Sequence, residues 1–335
     1  MTGQTIVRST RASRIAGSIV LLLVLAMASA PWWASAADQR LLIEFMVYLA
    51  LASMWNLLAG YAGLISVGQH AYVGLGGYAM FTCVLFLGIN PMFAIPIAGV
   101  AGALVAVPVA FLVFRLKGPY FAIGTWVVAE VFRLLAAQMS SLGGGSGTSI
   151  PISAMRALGG RDERALIIYV TTLVLCLGTL AVIYLLLRSR VGLALTAIRD
   201  NEVASSSLGV RIGRIKLAVY VIVAGAATML GALIFVTKLR ISPDAAFSIN
   251  DWTVFVIFIV VIGGIGTMEG PIIGTLLYFL LREFLADLGA VYLLILGAIA
   301  IGIMLVAPKG IWGLIVQRYD FSVFPVGYRV RRSEP

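Results

Sequence analysis

Residues 188–216 read RSRVGLALTAIRDNEVASSSLGVRIGRIK, and residues 217–236 continue without a break as LAVYVIVAGAATMLGALIFV. The second run holds no charged side chain, and about 20 such residues are what a helix needs to cross a bilayer. The first run is its opposite. It carries six of the chain's 24 Lys and Arg, together with Asp200 and Glu202. Residues 193–208 within it predict a short helix, with Leu195, Ile198 and Leu208 along one side. Two readings of this polar insert fit the residues. It is a surface helix gripped by a soluble partner, or a solvated loop held at the headgroups by its arginines.

The rest of the chain has the character of residues 217–236. It is 61% hydrophobic and 11% charged, with a mean hydropathy of +1.05, whereas soluble domains carry about 25% charged residues. An all-α, polytopic membrane protein without a separate soluble domain follows. Ten apolar runs are long enough to consider as spans: 15–34, 41–59, 66–87, 92–114, 120–139, 166–187, 217–236, 252–266, 271–285 and 288–307. The eighth and ninth are short. Read as two halves of one broken helix, they leave nine spans.

Charge orients the ten-span arrangement. With the N-terminus in the cytoplasm, the inner segments hold three, two, six and five cations, sixteen in all, against seven outside. Arg133 lies within a span. This is the positive-inside bias, and it predicts both termini in the cytoplasm. Residues 1–14 and 308–335 would be cytoplasmic tails flanking a membrane domain at 15–307. Trp32, Trp33 and Trp252 would fall at the outer interface and Trp312 at the inner one. The first run has a second reading, because three arginines, an apolar stretch and Ala34-Ser35-Ala36 also resemble a cleavable signal peptide. The net charge of +10 sits on one membrane face, so nucleic acid is not an expected partner.

Chemistry-bearing residues are few. Residues 56–78, NLLAGYAGLISVGQHAYVGLGGY, contain six glycines, which serve close helix packing or unwound backbone along a pathway. Asn56, Gln69 and the chain's single histidine, His70, lie here. Glu130 and Arg133, three apart, share a helix face and pair within the membrane. Residues 263–274, GGIGTMEGPIIG, mark a turn or a broken helix, with Glu269 at its tip. Residues 143–151, GGGSGTSIP, lack the Gly-Lys-Ser/Thr of a phosphate loop and read as a flexible outer loop. Cys83 and Cys176 lie in separate apolar runs, away from the histidine, and read as small core residues. Neither a catalytic triad nor a metal-ligand set is evident.

Taken together, NLLAGYAGLISVGQHAYVGLGGYA, KGPYFAIGTWVVAEVFRLL, VGLALTAIRDNEVASSSLGVRIGRIKL, VVIGGIGTMEGPIIGTLL and APKGIWGL resemble, in that order, the permease subunits of bacterial branched-chain amino acid ABC importers. The similarity covers most of residues 50–314 and is greatest to the M-type subunits of the leucine/isoleucine/valine systems. It implies an inner-membrane permease that moves branched-chain amino acids. It also implies four partners besides the bilayer: a second, similar permease, two cytoplasmic ATP-binding subunits and a periplasmic binding protein. The chain has no ATP site of its own and is expected to hold no cofactor; ATP would be bound by the partners.

The resemblance also gives residues 197–209 a role as the coupling helix that docks into an ATP-binding subunit. Arg199, Asp200, Glu202, Ala204 and Gly209 would be its contact residues. Glu202 to Gly209 is one residue longer than the usual spacing, and Ser205 takes the second small position. Asn56, Gln69, His70, Glu130 and Arg133 are candidates for the translocation pathway. Related permeases carry urea or short amides. A secondary transporter or channel, built on Glu44, His70, Glu130 and Arg133, is the alternative class.

Overall fold

Inside a bilayer no water satisfies the peptide groups, so each apolar run can close its own hydrogen bonds only as a helix. The computed structural model describes residues 4–7, 11–156, 158–285, 288–289, 291–319, 323–324 and 329–332. Residues 1–3, 8–10, 320–322, 325–328 and 333–335 of the expected tails, Arg8 among them, lie outside these.

In chain order the helices are α1 (Arg11–Trp33), α2 (Ala36–Asn56), α3 (Gln69–Leu87), α4 (Pro91–Val113), α5 (Pro119–Gln138), the short α6 (Ile152–Arg156) and α7 (Arg161–Arg188). The polar insert forms α8 (Arg190–Asp200) and α9 (Glu202–Ser207). Then come α10 (Ile212–Lys238), α11 (Pro243–Ala246), α12 (Phe255–Gly263), α13 (Gly270–Leu285), α14 (Val291–Val306) and α15 (Gly310–Tyr319). π turns extend α2 over Leu57–Tyr61 and lead into α12 over Asn250–Val254. A helix therefore stands at each of the ten expected spans. Eight helical segments among the described residues have the length and hydropathy to cross a membrane, while Gly17–Trp33 is a shorter apolar helix and α13, at 16 residues, is shorter than a span needs.

The nine-span alternative needs α12 and α13 end to end. They lie side by side instead. Gly263 packs on the backbone of Gly270, and Gly274 on the carbonyl of Ile259, a pairing that only an antiparallel hairpin makes. Residues 264–269 form its turn.

At the centre, α10 packs along α3 and α4, and α2 packs on α7, α12 and α13. The glycines of α3 explain the first of these contacts. A methyl group on Gly76 would fall on the Thr228 carbonyl, and one on Gly231 on the Val73 carbonyl, so the two backbones touch, as small residues allow. Gly76→Ala is expected to cost about 1–3 kcal/mol by overpacking. A lowered unfolding temperature of the purified protein checks it, and an unchanged one would contradict this packing.

Burial decides which helices face outward. The apolar windows of α2 and α10 are each 72% buried, that of α5 only 22%, and the 291–318 segment 11%. Trp32 and Trp33 are exposed, as an aromatic belt requires, but Trp252 and Trp312 are not at a surface. Trp252 stacks on Tyr48 and donates its indole N–H to the Ala245 carbonyl (3.0 Å). An amphipathic ring is buried at little cost once its N–H finds an acceptor.

Two small strand pairs close the ends. β1 (Gln4–Val7) pairs antiparallel with β4 (Arg329–Arg332), which puts both ends of the chain on one side. β2 (Thr148–Ser149) pairs with β3 (Arg240–Ile241), tying the loop after α5 to the loop after α10. Ser35 caps α2 in a capping box with Asp38, so the A-x-A tripeptide forms the α1–α2 turn. Residues 310–319, assigned to a tail by composition, are helical and pack on α12 and α13.

Candidate functional site

The polar insert is two helices rather than the one expected. Asn201 adopts extended backbone (φ −158°, ψ 106°), ends α8 and accepts a hydrogen bond from the Ala204 N–H at 2.9 Å, capping α9. Asparagine favours this position because its side chain replaces the missing helical acceptor. The break changes the register. Leu195 and Ile198 are buried on α8, as expected, but Leu208 is 82% exposed and does not share their face. Leu193, Val203 and Leu208 instead form an outward apolar set on the insert. Gly209 follows at φ +82°, with nothing within 4 Å of where a Cβ would stand. The positive φ, which glycine alone adopts freely, turns the chain from α9 toward α10.

The charged residues divide between the two sides of the insert. Asp200 is exposed and lies 3.5 Å from the Arg199 guanidinium. Glu202 pairs with Lys216 at 2.9 Å and so ties α9 to the first turns of α10. Ala204 is exposed, while Ser205 beside it is buried. Arg199 points inward: its guanidinium donates to the Gly60 carbonyl at 3.2 Å. Gly60 lies in the π turn at the end of α2, and such turns release backbone groups from the regular ladder.

The same π turn meets the α12–α13 hairpin. Asn56 accepts from the Gly266 N–H and donates to the Thr267 carbonyl, both at 2.7 Å. Gly60 has space for no Cβ, because Gly266 and Asn56 fill it. Glu269, buried at the tip, accepts from the backbone N–H groups of Val323 and Phe324, each at 2.9 Å. One junction therefore joins the insert, the end of α2, the hairpin turn and the segment beyond α15. Gly60, Gly266 and Thr267 were not among the candidate residues. Their glycine-rich surroundings were the only sequence signal, and that signal did not pair the two stretches.

Between α2 and α3 the chain leaves helical geometry and folds back along α2. Trp55 donates to the Ser66 carbonyl (2.7 Å), and Gln69 donates to the Leu51 carbonyl (3.1 Å). Leu51 lies ten residues before Tyr61, so at 1.5 Å per residue the return is about 15 Å. Non-helical backbone at such depth persists only where protein encloses it. Here the Val67 N–H donates to Thr125 Oγ1 (3.1 Å) and Gly68 abuts the Thr125 carbonyl. Gln69 and His70 open α3 and are buried. His70 Nδ1 lies 2.9 Å from Thr253 Oγ1, and Gln69 Oε1 has no partner. Of the two readings of the glycine-rich stretch, its first half thus unwinds and its second half packs helices.

Glu130 and Arg133 pair as expected, with Arg133 Nε 3.0 Å from both carboxylate oxygens. Arg133 also reaches Asp244 on α11 at 2.8 Å. The glutamate side chain is 45% exposed and the arginine 30% exposed, on the span least covered after the 291–318 segment.

A family described as the permease component of branched-chain amino acid transport systems matches residues 39–307. The chain is 30% identical over 316 residues to the high-affinity branched-chain amino acid transport system permease protein LivM of Escherichia coli (strain K12), covering 88% of this chain and 74% of that one. Its identity to the protein of the same name from Salmonella typhimurium is 29% with the same coverage. To the probable branched-chain amino acid transport permease protein LivM of Methanocaldococcus jannaschii it is 24%, over 73% of this chain and 80% of that one. No solved structure matches the chain.

Proposed function

The chain belongs to the permease family of branched-chain amino acid transport systems, and on that premise we propose how it couples to its partners. It is a multi-pass permease subunit of a branched-chain amino acid ABC importer. The complex holds a second, similar permease, two cytoplasmic ATP-binding subunits that supply the ATP site, and a periplasmic binding protein. The relatives are named for branched-chain amino acids, not for urea or short amides.

The observation that carries the coupling proposal is the two-sidedness of the polar insert. Leu193, Val203 and Leu208 face out, and Arg199 reaches in to Gly60. The outward side docks into an ATP-binding subunit. Its apolar residues supply contact area, while Asp200, Glu202 and Ala204 set register, since exposed ion pairs are worth only about 0–1 kcal/mol each. When the ATP-binding subunits close, the insert moves, and Arg199 carries that motion to the π turn of α2 and the α12–α13 turn. The two access states are then a rigid-body equilibrium biased by nucleotide and substrate.

Glu130 and Arg133 belong to the pathway wall. Charges inside a membrane face protein or water rather than lipid, and this pair is part-exposed on a thinly covered span. The exposed side of α5 therefore faces the second permease across the path. Gln69 and His70 open α3 beside the segment whose Val67 N–H bonds Thr125 of that wall, while Asn56 acts at the hairpin turn instead.

Docking is tested with Leu208→Asp. The residue is 82% exposed, so the permease should still reach the membrane, but a charge in the docking groove should prevent copurification of the ATP-binding subunits and halt leucine uptake. Normal copurification would remove this face from the interface. Orientation is tested by single-cysteine labelling: Ser206→Cys should resist an impermeant reagent in cells with a permeabilised outer membrane and react in inverted vesicles. Labelling in the intact inner membrane would reverse the topology.

A further inference from the structure

At the end of the bundle opposite α8 and α9, a cavity of about 1040 Å³ opens between α1, α2, α7, α10 and the π turn before α12. This is at the upper end of small-molecule sites, roughly 300–1,000 Å³. Its inner wall is apolar: Ile43, Val47, Ile168, Leu233 and Ile234. Its rim carries both signs of charge. Glu44 is already paired with Arg282 across to α13. Among the described residues, Asp251, Arg40 and Lys238 have no opposite charge at ion-pair distance. The Lys238 ammonium is held 4.8 Å above the Trp252 ring and 5.8 Å from that of Phe235, a cation–π arrangement that fixes its position. Arg161, Asp162 and Glu163 at the start of α7 line the same rim, so the chamber presents both signs of charge above an apolar wall, with Asp251, Arg40 and Lys238 outside any ion pair among the described residues.

We propose that this cavity binds a free aliphatic α-amino acid, its carboxylate on Lys238 and Arg40, its ammonium on Asp251, and its side chain against the Val47–Leu233–Ile234 wall. A zwitterion answers both signs of the rim, and a branched alkyl group answers the wall. The proposal rests on the permease reading and adds to it a substrate site inside one permease chain, so that selection is not left to the binding protein alone.

The test uses the assembled complex without its binding protein, in nanodiscs of phosphatidylcholine and phosphatidylglycerol, with radiolabelled L-leucine read by equilibrium dialysis. Saturable binding is expected, uncompeted by urea or L-glutamate. It should weaken at least tenfold in Lys238→Gln and Asp251→Asn and survive in Lys238→Arg and Asp251→Glu. Absent saturable binding, or binding unchanged in Lys238→Gln and Asp251→Asn, overturns the proposal. So does equal loss in all four variants, which would make these residues structural. In discs containing phosphatidylethanolamine, native mass spectrometry finding that lipid held through Lys238, with no leucine bound, would assign the cavity to a headgroup and also overturn it. Leucine uptake with the loaded binding protein, run alongside, separates this from the permease reading: uptake without cavity binding defeats only the present inference.

Discussion

Asn56→Asp is expected to abolish transport and to lower the amount of permease in the membrane. Asn56 is 2% exposed and uses both ends of its amide, accepting from Gly266 and donating to Thr267. Aspartate keeps the acceptor and loses the donor, and it sets a carboxylate against the Thr267 carbonyl. An uncompensated buried charge costs about 3–5 kcal/mol. Asn56→Ala removes both bonds without adding charge and should cost less, about 1–3 kcal/mol. Membrane abundance, unfolding temperature in detergent and leucine uptake give the ranking wild type, alanine, aspartate. Wild-type uptake in the aspartate variant would mean that the α2–hairpin junction does not carry coupling.

The second large effect is expected at Gly209. Its φ of +82° is the reason for glycine there, not crowding, since a Cβ would meet nothing within 4 Å. A side chain in left-handed backbone costs about 1–2 kcal/mol, and a β-branched one fits this region worst. Gly209→Val therefore re-aims the end of α9, and Leu208 with it, while the membrane helices are untouched. A shift of that size in the docking equilibrium is roughly 5–30-fold. The variant should reach the membrane normally and lose the stimulation of ATP hydrolysis by loaded binding protein in the reconstituted complex. Gly209→Asn, which tolerates the left-handed region, should retain most of it. Full stimulation in the valine variant would take this turn out of the coupling path.

The positions of the spans were legible because the cause is local. A run of about 20 apolar residues in a bilayer has one way to satisfy its peptide groups, and each of the ten runs became a helix in place. The Glu130–Arg133 pair was equally legible, because three residues along a helix fix two side chains on one face. The break at Asn201 was a local signal too, an asparagine N-cap, masked by the apolar spacing of Leu195, Ile198 and Leu208.

Other features had no local cause to read. A span that is apolar all round carries no stripe to say which face is buried, so the enclosure of α2 and α10 and the exposure of α5 came only from packing. The bonds from Asn56 to the hairpin turn join residues about 210 apart, and the Arg199–Gly60 bond joins residues 139 apart. The sequence by itself determined a polytopic helical membrane protein with a polar insert, because hydrocarbon forces each segment to solve its backbone alone. Only the tertiary structure decided that this insert reaches back to the end of α2 and that charges of both signs from α2, α7, α10 and the π turn before α12 line one cavity at the opposite end, because those contacts arise from how finished helices pack against one another.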